Sequence, residues 1–326
     1  MSYLGVVFTS GGSFNQTQIT LAGQARKAIF KMKKYLCTIT NITVSHQLEL
    51  FDKLVKPILN YGCEVWGFHK AQNIESLYTQ FCENILGVKR ATQNDFVYCE
   101  LGHHSLIVSR YFKIVKYWFK IIGSKENKYI KLIYNIMKHD FEMTPSKKNC
   151  VSSLHQLLSS LGFLEVWIHQ GVGQKEDFLS LIKKRIMDCF YQNINSRLTE
   201  SSRALFYRHL NINNDLKMYL TSISNENHRI ALSKLKVSSH RLIIESGRWH
   251  KPIATSYNER KCTHCQKIDD EYHFILECSL LNDLRKKYID KKYGLRTNMQ
   301  KCIVYKFTKC TNIKKTSFFY ISWFES

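Results

Sequence analysis

Within 17 residues near its C-terminal end the chain places Cys262, Cys265, His273 and Cys278, a C-x2-C-x7-H-x4-C spacing. Three thiolates and one imidazole make a complete tetrahedral ligand set for Zn²⁺, with no position left open for water. The two cysteines two residues apart suit a tight knuckle that holds the ion from one side, and the His and Cys five positions apart can close the other side from a turn or short helix. A closed set implies a structural ion rather than hydrolysis, and in small modules such an ion supplies ~10 kcal/mol or more of folding free energy. CxxC alone is weak, so four unrelated residues in a Cys-rich chain are the competing reading. His264 is an alternative ligand, although it sits between two ligating cysteines. The acidic run Asp269-Asp270-Glu271 falls inside the metal loop and reads as a solvated turn rather than a catalytic carboxylate pair.

The chain of 326 residues carries 48 Lys+Arg against 26 Asp+Glu, and 48 − 26 gives +22. A balance this basic favours a polyanion, nucleic acid first and an anionic membrane surface second. With 44% hydrophobic residues the chain is too apolar for a disordered basic tail. No apolar run approaches the ~20 residues of a membrane helix, and the cluster Phe318 to Phe324 is far too short. No signal peptide is visible at the N-terminus. The eleven cysteines are therefore expected in a reducing compartment, as free thiols or ligands rather than a disulfide frame, and those outside the motif read as small core residues.

Elsewhere a helical period dominates. Tyr3 to Phe8 reads as a short strand and Ser10 to Ser13 as a turn. Leu21, Ala25, Ala28, Ile29, Met32 and Leu36 lie on one helical face, with Arg26, Lys27, Lys31, Lys33 and Lys34 around the rest. A second helical pattern runs from Ser45 to about Leu59, where Pro57 should kink or end it. Asn73 is a plausible N-cap for a third, which runs to Leu86 with Gly87 as its stop. The clearest helix is Ser105 to Ile122, with Arg110, Lys113, Tyr117 and Lys120 as a ridge beside its apolar face. Further helical patterns cover roughly 127–139, 152–161, 174–193, 202–210 and 226–237, and Met143 to Cys150 is the best linker. The expected fold is mainly α: a helical bundle with a short N-terminal strand and a small C-terminal zinc knuckle. The expected segments are 1–14, 15–142, 143–247 and 248–326.

The C-terminal spacing resembles the cysteine–histidine motif downstream of the polymerase domain in non-LTR (LINE-like) retrotransposon reverse transcriptases. Other stretches follow that family's order. Tyr3, Leu4 and Gly5 resemble the YLG of its primer-grip hairpin. Leu50 to Val55, Pro57-Ile58-Leu59, Tyr61-Gly62 and Glu64 to Gly67 resemble its thumb segment, which Phe81-Cys82, Ile85 to Val88 and Thr92 continue. Ser239 to Leu242, Ile244-Glu245 and Gly247-Arg248 look like the stretch before the motif, and Leu284-Arg285 like its end. The resemblance spans residues ~3–290 and is weakest between about 125 and 225. The chain departs from the pattern at Cys99, where the family often has glycine, and at Ser105, where it often has proline.

The resemblance implies a protein that holds template and primer. Polymerases of this kind work with two metal ions on paired palm carboxylates, and the only Asp-Asp here is Asp269-Asp270, in the wrong context. The expectation is a thumb and post-polymerase region, begun at an internal Met and without catalysis of its own, whose fingers and palm lie elsewhere in the parent protein. Its partners would be element RNA or target DNA duplex rather than a membrane, in nucleus or cytoplasm. Arg110, Lys113, Lys120, Arg248, Arg260, Lys261, Lys267, Arg285, Lys286 and Lys287 are the expected phosphate contacts, with nearby rings available to stack on unpaired bases. An alternative is an independent zinc-containing binding or protein-interaction protein derived from a retroelement. A primer-grip strand parted from its palm sheet would leave unpaired backbone groups, so residues 1–40 are expected to pack poorly in isolation.

Overall fold

The computed structural model describes residues 1–288, apart from 40–41, 69–70, 127, 147–148, 211–212 and 214. The cluster Phe318 to Phe324 and the end of the 248–326 segment lie outside the described residues. The fold is mainly α. Two short strands, β1 (Ser2–Tyr3) and β2 (Val6–Val7), form an antiparallel hairpin with Tyr3 opposite Val6. The two-residue turn between them has positive φ at both Leu4 (46°) and Gly5 (80°), the geometry that matches the twist of paired strands. The single strand expected over residues 3–8 is therefore a hairpin. Its backbone groups are paired: Val7 donates to the Thr17 hydroxyl, which donates back to Val7 O, and the Tyr61 hydroxyl donates to Leu4 O. The first helix, α1 (Asn15–Leu36), buries Leu21, Ala22, Ala25 and Met32 and packs on α3 (Lys56–Leu59). The hairpin and α1 are thus anchored, although Tyr3, Leu4, Phe30 and Tyr35 remain largely exposed.

The second helical pattern is broken as Pro57 requires, into α2 (Val44–Leu54) and α3, and a short α4 (Cys63–Trp66) follows. Next come α5 (Gln72–Leu86), α6 (Asn94–Leu101) and α7 (Leu106–Ile122). Asn73 lies inside α5 rather than capping it, and its amide donates to the Asn15 side chain. Gly87 ends α5 with φ +65°. Ser105 caps α7, its hydroxyl oxygen accepting from Ile107 N. Beyond it lie α8 (Tyr129–Met143), α9 (Cys150–Ser160), α10 (Leu164–Ile168) and the long α11 (Lys175–Glu200). The expected linker joins α8 to α9. Residues 202–210 form two 3₁₀ turns rather than a helix, Ser202–Ala204 and Tyr207–His209. The remaining helices are α12 (Tyr219–Ser222), α13 (Glu226–Lys236), α14 (Ile243–Ser246) and α15 (Asn282–Tyr288).

The chain forms two compact units that interleave in sequence: Met1–Ile39, Leu48–Tyr78 and His104–Asn193 in one, Thr40–Gln47, Thr79–His103 and Ile194–Ser326 in the other. The four consecutive segments drawn from sequence do not coincide with them. In the first unit, Trp118 stacks near Trp167 (centroids 6.2 Å apart) and Phe119 meets Phe178 edge-on at 5.4 Å. The Trp118 indole donates to the Tyr134 hydroxyl (2.9 Å), which donates to the Gln170 side chain (2.6 Å). That chain satisfies polar atoms which a packed interior would otherwise leave costly.

The second unit is organised around a buried carboxylate. Glu100, fully buried on α6, accepts from the Tyr207 hydroxyl and from Lys236 Nζ, each at 2.8 Å. Gly102 ends α6 with φ +62°, and a Cβ there would lie 2.3 Å from Leu216 N. Only glycine admits both that φ and that approach.

Candidate metal centre

The metal-type motif lies wholly in the second unit. Lys261 and Ile268 bridge across the cysteine knuckle, Cys262 N donates to Lys267 O, and Gln266 N donates to Cys262 O. Gln266 adopts φ +57°, which turns the chain back beneath Cys265. On the other side His273–Glu277 forms a single π-type turn, in which Cys278 N donates to His273 O at 2.8 Å. This turn brings two side chains five positions apart to one cluster.

The ligand atoms of Cys262, Cys265, His273 and Cys278 all lie within 4.8 Å of one another. Cys265 Sγ and Cys278 Sγ are 3.7 Å apart, and two sulfurs each ~2.3 Å from a tetrahedral zinc are separated by ~3.8 Å. A second observation fits the same group. Both His273 ring nitrogens are buried without a hydrogen-bond partner, a costly arrangement that a metal bond to one of them relieves. The residues therefore fit a bound metal ion. His264, exposed between the cysteines, is not part of the cluster. Hydrogen bonds from Ser279 lower the Cys265 thiol pKa, while burial pushes Cys278 up to about 11. The ion must displace protons from thiols like Cys278, so its affinity falls as pH falls.

The acidic run is an anchor, not a solvated turn. Asp269 Oδ2 accepts from Ile243 N (2.7 Å) and Asp270 Oδ1 from His273 N (2.8 Å). The buried Glu271 accepts from the Ser238 hydroxyl (2.7 Å) and meets His240 Nε2 at 2.8 Å. Burial raises the Glu271 pKa, but His240 and Ser238 outweigh it, so the carboxyl lies below its ordinary value. Thirty-one residues separate the partners His240 and Glu271, so no local spacing signals the pair.

Three expected phosphate contacts are corrected. Arg110 is 1% exposed: its guanidinium pairs with Glu75 Oε1 at 2.8 Å and lies over the Trp66 ring. Helical period alone cannot show that the α7 ridge at Arg110 faces an interior carboxylate. Arg260 is buried and donates to Thr255 O and Ile244 O. Arg285 donates to Ile275 O and Cys278 O, tying the last cysteine of the cluster to α15. Arg248 is half-buried against Glu245 (3.2 Å) and Ser202. Lys113 is also half-buried and reaches Asn60 O, whereas Lys120, Lys261, Lys267, Lys286 and Lys287 are exposed. Lys267 meets Glu277, and Lys286 meets Asp283. Tyr3, Leu4 and Gly5 form the turn end of the N-terminal hairpin.

Among the described residues no helix is long and apolar enough to cross a membrane. No protein-family model, curated protein or solved structure matches this chain.

Proposed function

We propose that the chain is a nucleic-acid-binding region of a retroelement-type reverse transcriptase, in which a structural Zn²⁺ holds the C-terminal knuckle and exposed lysines take backbone phosphates. The observation that carries the reading is the Cys262, Cys265, His273 and Cys278 cluster in a chain of net charge +22. A closed thiolate-rich site does no chemistry on a substrate, so its work is to fix the surrounding surface. Lys261 and Lys267 flank the ligands, and Lys286 and Lys287 follow on α15. Zinc is favoured over other ions because soft thiolates with imidazole in a tetrahedral set select it. On this reading a polymerase palm and fingers would supply catalysis, and element RNA or target duplex would be the ligand.

The test is titration of purified chain with duplex DNA and with structured RNA, alongside elemental analysis. One zinc per chain and an affinity that falls by orders of magnitude between low and moderate salt are expected. A salt-independent protein partner with no nucleic-acid binding would replace this reading by the interaction-protein alternative. Primer extension by the chain alone would end it.

A further inference from the structure

The second unit contains a cavity of about 250 Å³ lined by Arg203, Arg248, Tyr257, Tyr272 and Phe206, none of them in the Cys/His cluster, together with the loop anchors Asp270 and Glu271. Its cationic side is built rather than incidental. Glu245, itself buried, takes Arg203 NH2 at 2.6 Å and stands 3.2 Å from Arg248 Nε. Arg203 also donates to Ala91 O, and Arg248 to the Ser202 hydroxyl and carbonyl. Two guanidiniums thus share one carboxylate, which leaves one positive charge uncompensated within the trio, and Arg203 Nε is buried with no acceptor at all. A protein does not gain stability by leaving such a donor unsatisfied.

The aromatic side has the same unfinished character. Tyr257, in a 3₁₀ turn, is 47% exposed; Trp249, outside the lining, lies against the Arg203 guanidinium and donates to Glu245. Tyr272 is held edge-on by Phe206, with centroids 5.4 Å apart. Of the three acidic residues in the lining, Glu245 is held by the two arginines, Glu271 is engaged by Ser238 and His240, and Asp270 takes His273 N on Oδ1, so its other oxygen is the acceptor suited to a base amino group. The two guanidiniums on one side, the ring faces on the other and one carboxylate oxygen match the parts of a nucleotide: phosphate, base and exocyclic amine. The volume is below the ~300 Å³ at which sites for drug-sized ligands begin, so it admits one base and never a duplex.

We propose that this cavity receives one unpaired nucleotide of a nucleic-acid strand, its base against Tyr257 and Tyr272 and its phosphate against Arg203 and Arg248. The proposal rests on the nucleic-acid reading above and deepens it: exposed lysines supply sequence-independent affinity, and this cavity distinguishes single-stranded from paired substrate.

Fluorescence anisotropy of the full zinc-loaded chain tests it, with a labelled ten-nucleotide single strand and a labelled duplex of the same sequence as probes. Tyr257→Ala should weaken single-strand binding about tenfold, a typical loss for one base–aromatic stack, and leave duplex binding unchanged. Arg248→Gln should weaken the single strand likewise, with zinc content and helical circular dichroism checking that both variants stay folded. An abasic substitution in the strand should remove the Tyr257→Ala effect. Wild-type binding to both probes with neither variant altering the single strand would overturn the cavity while leaving the nucleic-acid reading intact. Equal losses on both probes would also overturn it. Failure of the wild type to bind either probe would overturn both readings. Competition by mononucleotides as effective as by the strand would overturn the strand assignment in favour of a free nucleotide.

Discussion

Arg110 and Lys120 lie on the same helix, yet their environments are opposite. Arg110 is buried against Glu75 and Trp66, while Lys120 is exposed in the last turn. Removing one partner of a buried ion pair strands the other, so Arg110→Ala should cost roughly 3–5 kcal/mol in urea denaturation. Lys120→Ala should fall within about 0.5 kcal/mol of wild type. Glu83 offers a pH test. Burial pushes its carboxyl up from 4.5 to about 7, with Arg90 opposing. Between those values the folded chain holds a proton that the unfolded chain has released, so this residue's contribution is full below pH 4.5 and is lost as pH rises through 7. Glu83→Gln should flatten that decline, read as urea midpoint against pH. At Gly102 an added methyl meets backbone at Leu216 rather than a side chain that can swing away. Gly102→Ala should therefore lower the melting temperature more than Gly23→Ala, where nothing lies within 4 Å.

At the scale of elements, the helices with a clean apolar period or a strong breaker were legible. Ser105 before α7, Pro57 in the first turn of α3, and Gly87 after α5 each act locally, through a hydroxyl acceptor, a missing N–H and a positive φ. Residues 202–210 carry a helical pattern but form 3₁₀ turns, in which Tyr207 donates to Glu100 and Ala204 is buried. The knuckle was legible as a ligand set, but its anchoring was not. Asp269, Asp270 and Glu271 bind Ile243, His273, Ser238 and His240, so metal loop and the 238–245 stretch stand or fall together. Cys265→Ser, or chelation of the wild type, should accelerate hydrogen exchange in both stretches and leave α7 to α9 protected. Loss confined to residues 262–278 would show that the anchors hold without the ion.

For the whole molecule, charge sets the reach of the surface and burial decides which charges take part. Arg110, Arg260 and Arg285 are committed to internal partners, so the exposed lysines carry the long-range field. Replacing Lys261, Lys267, Lys286 and Lys287 together by Gln should reduce the slope of log affinity against log salt by up to ~4 for duplex, about one per lost contact. An unchanged slope would move the contacts to the basic face of α1 or to Lys183 and Lys184, which are exposed on α11. The amino-acid order by itself determined the helical character, the breaks and the four ligands, because period, φ preference and ligand chemistry act over a few residues. Only the tertiary structure decided which cations face inward, that residues 79–103 belong with those after 194, and that Arg203 and Arg248 share a carboxylate beside exposed rings. Those outcomes depend on partners tens to more than a hundred residues away, whose meeting is governed by packing and by the cost of burying a charge alone.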